Sequence, residues 1–407
     1  MAKNNNLNFK TFIPADKFNG IKSLDQKRFK VFIKEVNESI KIKNNVFNSF
    51  SKNFKLNFNP KELKSFKKFK RVIIIGIGGS ISGSQAVNVF LKKKTKKEFI
   101  FINDLNLFQI NKLKKTKNLK SSLFIIISKS GNTIEILSII DSLKSKANFN
   151  SKNSLVITEN KNSHLYNFAN KLRIKIIEHR KYIGGRYSIF SETALVPCYL
   201  MGIDIIKFRK NILNFLYNKK SIFLKNLINL SKIYNSKKIN SLVLLNYCSG
   251  LECFLLWCQQ LIAESLGKRG QGKIPIISIG PRDHHSLLQL YLDGPKDNFF
   301  YIFSFKGKKN FRKKGGLFFR AINNNNLESI VENQKNAMTT ILKNKKIPYI
   351  SIEIKKRDEE TLGELFSYFI FETVLTGQYL KINPFNQPAV EQLKILTKQN
   401  LFKKNQK

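Results

Sequence analysis

The sequence has 407 residues, 42% of them hydrophobic, which is long enough for two or three domains and too apolar for an intrinsically disordered chain. It carries 73 Lys and Arg against 27 Asp and Glu, a formal net charge of +46 that would ordinarily suggest nucleic acid. Because the positive residues are spread along the whole chain and accompany an excess of Asn, Ile and Phe, whose codons are rich in A and T, genome composition explains the charge better, and we expect no nucleic-acid partner.

Residues 1–69 show polar, helical patterns without strong strand signals, and we predict an N-terminal helical segment. The first residues, MAKNNNLNFK, are basic but lead into no apolar stretch, so we expect no signal peptide. No stretch of the chain reaches about 18 uninterrupted apolar residues, so we expect no membrane partner. None of the four cysteines forms a C-x-x-C pair, which favours free thiols in a cytoplasmic protein.

Short, continuously apolar runs alternate with helical stretches from residue 70 onward. The runs that we predict as strands lie at 72–75, 99–102, 123–127, 155–157 and 174–177. Such runs are typical of parallel strands covered on both faces, and their alternation with helices indicates a βαβ-wound sheet. We therefore predict a first α/β domain over residues 70–215, with a helical interval from about Ala194 to Tyr234.

A second series of the same kind follows. Its predicted strands lie at 242–245, 274–279, 299–305 and 349–354. The predicted fold class is α/β, with two doubly wound parallel-sheet domains (three-layer α/β/α), the second over residues 216–380, and a C-terminal helical arm over residues 381–407. The stretch Leu362–Leu380 is expected to be a largely buried helix, and the polar stretch from Lys306 to Asn326 an exposed loop.

Gly76-Ile77-Gly78-Gly79-Ser80 directly follows the first predicted strand and precedes a helix, a context that suits phosphate binding by backbone N–H groups. The dinucleotide fingerprint G-x-G-x-x-G is incomplete, because Ile81 holds the place of its third glycine. No G-x-x-x-x-G-K-[ST] pattern occurs either, so we expect no nicotinamide or nucleotide cofactor. A tight structural turn would explain the glycines of this loop equally well.

A second loop, Ser128-Lys129-Ser130-Gly131-Asn132-Thr133, also lies between a predicted strand and a helix. It offers hydroxyl and amide groups, an ammonium, and a glycine that permits close backbone approach. Ligands of open α/β sheets bind at the carboxyl ends of the strands, so two such loops in one sheet predict a phosphate pocket. This hydroxyl-rich loop resembles the sugar isomerase (SIS) phosphosugar-binding fold, which occurs in enzymes and in regulators.

Four further motifs carry candidate chemistry, and each also has a structural explanation. Arg186 lies in GGRYS and could be one more solvated cation. Gln260 and Glu264 lie on one face of a helix at i, i+4, where a carboxylate is commonly a surface group. His284 and His285, in GPRDHHS, could be a helix cap and a core histidine. The sequence shows no third ligand beside them, which argues against a metal site. Gln387 and Lys394 belong to FNQPAVEQLK, near the C-terminus.

Taken in order, GIGGS, SKSGNT, GGRYS, QLIAESLGK, GPRDHHS and FNQPAVEQLK resemble the motif series of the glucose-6-phosphate isomerase family, over residues 76–394. The resemblance implies a reversible conversion of glucose 6-phosphate to fructose 6-phosphate through a cis-enediolate, without metal or cofactor. It also implies a homodimer with shared active sites, in which the histidine comes from the neighbouring subunit.

The resemblance implies a role for each matched residue. Glu264 would move a proton between C1 and C2, and Arg186 would stabilise the enediolate. His285 and Lys394 would open the hexose ring. The remaining candidates would bind the phosphate and position the sugar: Gly79, Ser80, Ser128, Lys129, Ser130, Asn132, Thr133, Gln260 and Gln387.

The chemistry is consistent with these residue types, since moving a carbonyl between adjacent carbons requires a carboxylate base and a cation near the enediolate. The sequence departs from the family pattern at Asn132, Ile134, His284, Asn386 and Ala389. Three alternatives stay open at this point. One is an isomerase that also acts on mannose 6-phosphate. Another is a non-catalytic phosphosugar sensor, against which the retention of Glu264, His285 and Lys394 argues. The third is a nucleic-acid-binding protein, which only the net charge of +46 suggests.

Overall fold

The computed structural model describes residues 6–306 and 326–403, which form two five-stranded sheets with helices packed around them. The strands of the described residues, in chain order, are β1 Leu7–Phe12, β2 Arg71–Gly76, β3 Glu98–Ile102, β4 Leu123–Ile127, β5 Ser154–Thr158, β6 Lys175–Glu178, β7 Ser241–Asn246, β8 Ile274–Ile279, β9 Asn298–Phe305 and β10 Tyr349–Ile354. The first sheet has the order β3-β2-β4-β5-β6, and the second has the order β1-β10-β9-β7-β8.

Helices connect most of these strands. The α-helices of the described residues are α1 Ala15–Phe18, α2 Gln26–Lys41, α3 Ser82–Phe90, α4 Leu107–Lys114, α5 Ile134–Ala147, α6 His164–Lys171, α7 Glu192–Met201, α8 Ile205–Lys210, α9 Asn214–Tyr217, α10 Lys220–Asn235, α11 Glu252–Leu266, α12 Leu288–Asp293, α13 Leu327–Asn344, α14 Glu359–Tyr379 and α15 Ala389–Lys403. The 3₁₀ helices are Val46–Phe50, Lys64–Lys68, Gly78–Ser80, Lys92–Lys94, Leu119–Ser121, Gly185–Phe190 and Arg282–His285.

Both faces of each sheet are covered, which explains the continuous apolar runs. In β2, Val72 and Ile74 contribute to the large core that also contains residues of the second sheet, while Ile73 and Ile75 pack on the other side beneath α4, α5 and α6. The outer face of the second sheet has its own cluster, to which α12 and α13 contribute. The prediction of two α/β units is therefore confirmed. The boundaries 70–215 and 216–380 stay predictions.

The N-terminal region differs from the prediction. Residues 1–69 were expected to be helical, yet Leu7–Phe12 forms β1, which pairs antiparallel with β10 at the edge of the second sheet. The alternation of Leu7 and Phe9 with the exposed Asn8 is the strand signal, since period-2 patterning marks a half-buried strand. The prediction is wrong for Leu7–Phe12, because a single edge strand finds its partner only through the tertiary structure, whereas α1 and α2 lie in this region as expected.

The prediction of a buried helix near the C-terminus is confirmed. The buried helix expected at Leu362–Leu380 is α14, whose described residues Glu364 and Glu372 are both buried. The four cysteines are unpaired. No helix within the described ranges is long and apolar enough to span a membrane. The loop expected from Lys306 to Asn326 lies, apart from its two end residues, outside the described residues.

The order of strands in the first sheet creates a crevice. From β2 the chain passes to β3 on one side and then returns to β4 on the other side of β2. The two central strands end together, because Gly76 pairs with Ile127. Such a reversal of strand order opens a space between the loops at the carboxyl ends, which is the usual ligand site of open α/β sheets.

Candidate active site

Two glycine-containing loops border this crevice, and each requires its glycines. After β2, Gly78 has φ +57° and begins the 3₁₀ helix Gly78–Ser80, which leads into α3. After β4, Gly131 has φ +68°, and a Cβ atom there would lie only 2.0 Å from Ser163 Oγ. Glycine tolerates both conformations without steric cost. The two loops therefore bring backbone groups to the crevice where side chains would not fit.

Hydrogen bonds organise the polar side chains of the second loop. Ser128 Oγ and Thr133 Oγ1 are 2.9 Å apart, and the Gly131 N–H donates to Ser128 Oγ at 3.2 Å. Asn132 Oδ1 accepts from the backbone N–H of His164 at 3.0 Å and so links the loop to the start of α6. Ser130 Oγ accepts from the Asn132 N–H at 3.2 Å.

Lys129 is held at the side of this loop. Its Nζ lies 4.0 Å from Glu159 Oε1, and burial lowers the pKa of its ammonium. The neighbouring His179 is 1% exposed, and burial together with the charge of Lys129 lowers its pKa to about 4. Because His179 is therefore uncharged, Lys129 is the positively charged residue of the two. Its charge can attract an anionic group in the crevice.

The first loop touches the segment that carries Arg186. A Cβ atom at Gly79 would lie 2.3 Å from both the Arg186 backbone nitrogen and the Gly185 carbonyl carbon. A Cβ atom at Gly78 would lie 3.0 Å from Gln260 Nε2 on α11. The crevice loop, the 3₁₀ helix Gly185–Phe190 and α11 therefore converge at one point.

Arg186 is 3% exposed, and all five of its N–H groups have acceptors. The acceptors are Ser265 Oγ at 2.9 Å, Glu264 Oε2 at 2.9 Å, Gln387 Oε1 at 2.8 Å, Pro384 O at 2.7 Å and Asn386 O at 3.2 Å. The guanidinium thus joins α11 to the segment that precedes α15. It is a fixed positive charge at the base of the site.

Glu264 is half-buried, with 31% of its side chain accessible. Its Oε2 accepts from Arg186, and its Oε1 accepts from Gln260 Nε2 at 2.8 Å, one turn earlier on α11. The carboxylate lines a cavity of about 510 Å³ together with Lys268, Asn386 and Gln387. An oriented carboxylate at the wall of a cavity, with a cation behind it, can accept and return a proton.

Two residues that sequence reasoning did not assign, Tyr187 and Ser265, complete the network. Tyr187 OH donates to Pro384 O at 2.9 Å and contacts Ser265 Oγ at 2.8 Å. Burial raises the pKa of the Tyr187 hydroxyl. Both residues lie inside the quoted motifs, next to Arg186 and Glu264 in the sequence. These positions could have marked them as members of the site.

The two candidates for ring opening lie elsewhere on this chain. His285 is exposed at the end of Arg282–His285, after β8, whereas its neighbour His284 contacts Tyr247 OH at 2.5 Å through Nε2. Lys394 is exposed on α15 and pairs with Glu391 at 2.7 Å. Within the described ranges, no hydrogen bond or ion pair connects either residue to Glu264 or Arg186. Nor do the described residues contain three His, Cys, Asp or Glu side chains grouped to hold a metal ion.

Known proteins resemble this chain over most of its length. A family model described as phosphoglucose isomerase matches residues 24–279. Glucose-6-phosphate isomerase of Methanocaldococcus jannaschii is 33% identical over 348 residues, covering 83% of this chain and 85% of that protein.

Solved structures share the fold at lower identity. A hypothetical protein from Thermus thermophilus has a TM-score of 0.80 at 20% identity, over 96% of this chain and 100% of that one. A glucose-6-phosphate isomerase from Chlamydia trachomatis has a TM-score of 0.76 at 16% identity, over 98% of this chain and 89% of that one. The two α/β units thus have the fold of these structures.

Proposed function

Because the chain belongs to the phosphoglucose isomerase family, we propose that it interconverts D-glucose 6-phosphate and D-fructose 6-phosphate. The observation that carries the proposal is the contact of Arg186 with Glu264 beside a phosphate crevice. This arrangement would supply a base, a cation and an anion-binding loop pair in one place. An aldose–ketose isomerisation needs these groups, and the reaction would serve glycolysis or gluconeogenesis.

The phosphate end of the sugar would enter the crevice of the first sheet. Backbone N–H groups of residues 76–80 and the hydroxyls of Ser128, Ser130 and Thr133 would bind its oxygens, with Lys129 adding a positive charge. Ser80 would contact the same group from the other loop. The sugar chain would then extend past Gln260 and Gln387 toward Glu264.

Proton transfer would follow from the geometry of Glu264. In the direction from aldose to ketose, its carboxylate removes the proton on C2, the C2–H electrons form the C1–C2 double bond, and the carbonyl oxygen O1 becomes negative. The resulting cis-enediolate takes that proton back at C1, while the hydroxyl proton on O2 passes to O1, and the carbonyl now lies at C2. Overall one proton moves from C2 to C1 and another from O2 to O1, and no electron acceptor or cofactor is required.

Arg186 would stabilise the negative charge as it moves from Glu264 to the substrate in this step. Glu264 becomes neutral when it takes the proton, so the Nη1–H that pairs with its Oε2 is free to donate to the enediolate oxygen. The negative charge moves from the carboxylate to the substrate while the cation stays fixed, which is the situation in which a preorganised donor stabilises a transition state most.

Ring opening would require His285 and Lys394, which transfer protons at O5 and O1. The exposed position of His285, without a hydrogen-bond partner in the described chain, supports its donation to the site of a second subunit. The exposure of Leu393 and Leu396 on α15 supports a homodimer, because free apolar side chains on one helix favour a contact. Unpaired cysteines fit a cytoplasmic location.

The proposal is tested by a coupled assay with fructose 6-phosphate and, in parallel, mannose 6-phosphate. We expect turnover of fructose 6-phosphate and formation of glucose 6-phosphate. Sugar-phosphate binding without turnover would contradict the proposal and favour a sensor. Retention on DNA that falls with salt, without sugar-phosphate affinity, would favour a nucleic-acid partner instead.

A further inference from the structure

Lys268 lies two residues beyond the end of α11, on the wall of the cavity that contains Glu264. Its backbone is fixed by a tight turn, in which its N–H donates to Leu266 O and its carbonyl accepts from the Gln271 N–H, both at 2.9 Å. Its side chain is half-buried, and Nζ donates to Asn383 O at 2.5 Å. The side chain therefore connects α11 with the segment that follows α14.

That segment, residues 383–387, carries Gln387 into the site. Arg186 and Tyr187 hold its middle through the Pro384 carbonyl. Lys268 holds its beginning, and Asn383 Oδ1 accepts from the Phe385 N–H at 2.9 Å to close the turn. Arg186 and Tyr187 thus hold residues 384–387 from one side, and Lys268 holds the first residue from the other. Losing the Lys268 contact would leave its first residue without an anchor to α11.

We propose that Lys268 is a positioning residue of the isomerase: its ammonium holds the Asn383 carbonyl and thereby keeps the Gln387 amide beside Glu264. The proposal rests on the proposed function, and it adds a residue that acts through Gln387 and the Arg186 network. Its side chain has no hydrogen bond to Glu264 itself among the described contacts.

The charge of Lys268 makes this role dependent on pH. Arg186 and Glu264 are the charged groups that act on it from the packed elements, and Arg269 lines the same cavity from its own turn. Burial and the charge of Arg186 lower the pKa of Lys268 to about 8, and Glu264 opposes them. As the pH rises through about 8, the ammonium loses its proton. The bond to Asn383 then becomes a weaker, neutral hydrogen bond.

The matched comparison uses Lys273, which is also half-buried and also donates to backbone carbonyls, those of Ser236 and Ile239, but lies outside this cavity. We expect Lys268→Met to fold and to lower kcat/KM for fructose 6-phosphate by about 10- to 100-fold. This is the size of effect expected for losing a hydrogen bond to a charged group, and it should act mainly on KM. Lys268→Arg should restore most of the loss. Lys273→Met should leave kcat/KM near that of the wild type.

Two readouts separate positioning from general stability. In the wild type, kcat/KM should fall above about pH 8, and this alkaline limb should disappear in Lys268→Arg, whose guanidinium stays charged. Lys129→Arg, made in parallel, should keep the limb. Hydrogen exchange of the peptide that covers residues 382–390 should be faster in Lys268→Met than in the wild type or in Lys273→Met.

An active wild type whose Lys268→Met variant has unchanged kcat/KM would overturn the role of Lys268 and leave the proposed function intact. An equal loss of kcat/KM in Lys273→Met would also overturn it, since the loss would then follow from replacing any half-buried lysine. An inactive wild type would instead overturn the proposed function. In that case the exchange measurement still decides whether Lys268 holds the segment, because it requires no turnover.

Discussion

Arg186 and Glu264 form an ion pair at 2.9 Å in which the arginine side chain is 3% exposed and the glutamate side chain is 31% exposed. The cation is therefore anchored inside the protein, and the carboxylate faces the cavity. Because every guanidinium N–H has an acceptor, substrate can reach Arg186 only by replacing one of those acceptors. In the proposed mechanism, Glu264 would become neutral when it takes the proton, and its bond to Arg186 would weaken as the enediolate forms.

Glu264→Gln is expected to fold and to bind fructose 6-phosphate, because the amide has nearly the same shape and can still accept from Arg186. Turnover should fall by about 10²–10⁴-fold, the usual contribution of a positioned general base. Calorimetric binding and the coupled assay measure the two properties separately. Glu252→Gln, at the other end of α11, is the control and should keep its activity. Near wild-type turnover in Glu264→Gln would exclude this residue as the base.

Gly79→Ala should destabilise the protein and abolish most activity, because its Cβ would meet the Arg186 backbone nitrogen at 2.3 Å. Backbone atoms cannot move aside as a flexible side chain can, and overpacking of this kind costs about 1–3 kcal/mol. Gly184→Ala is the matched change, since its nearest neighbour would be at 3.7 Å and its φ is −71°. Thermal melts and kcat/KM of both variants test the contact. Equal melting temperatures and equal kcat/KM in the two variants would mean that the crevice loop and the arginine segment move apart easily.

Glu372 should make the protein less stable as the pH rises. It is fully buried, Tyr301 OH donates to its Oε1 at 2.8 Å, and burial raises its pKa from 4.5 to about 7. The unfolded chain releases this proton from about pH 4.5 and the folded chain only near pH 7, so stability decreases across that window, by on the order of 3 kcal/mol.

Urea unfolding at pH 5 and pH 7.5 measures this effect. The decrease should be smaller in Glu372→Gln than in the wild type. The exposed Glu38→Gln should resemble the wild type at both values. A Glu372→Gln variant with the full wild-type decrease would show that other groups cause it.

Subunit exchange tests the origin of His285. Glu264→Gln and His285→Ala should each be nearly inactive alone. If His285 enters the site of the neighbouring subunit, each mixed dimer contains one site with both residues intact, and random exchange should restore about a quarter of wild-type activity. Differently tagged chains verify the exchange. No recovery after verified exchange would mean that each site is built within one chain.

The central strands were predictable because burial on both faces leaves an unbroken apolar run. Leu123–Ile127 was predicted with its observed bounds, and the i, i+4 spacing of Gln260 and Glu264 anticipated their contact. The pairing of β1 with β10 was not predictable, since it joins residues far apart in the chain and depends on tertiary packing. The same holds for the Pro384 and Asn386 carbonyls that accept from Arg186, because any residue type can supply a carbonyl.

The contact between Gly79 and Arg186 has a consequence for the size of the substrate. At Gly79 the crevice loop meets the arginine segment through backbone atoms alone, so no side chain separates the two there. In the proposed site, this contact would limit how far the phosphate-binding groups can move from Arg186 and from the Glu264 carboxylate that Arg186 holds. A sugar anchored by its phosphate would then meet Glu264 at a carbon set by its distance from the phosphate, and a sugar one carbon shorter would present a different atom there.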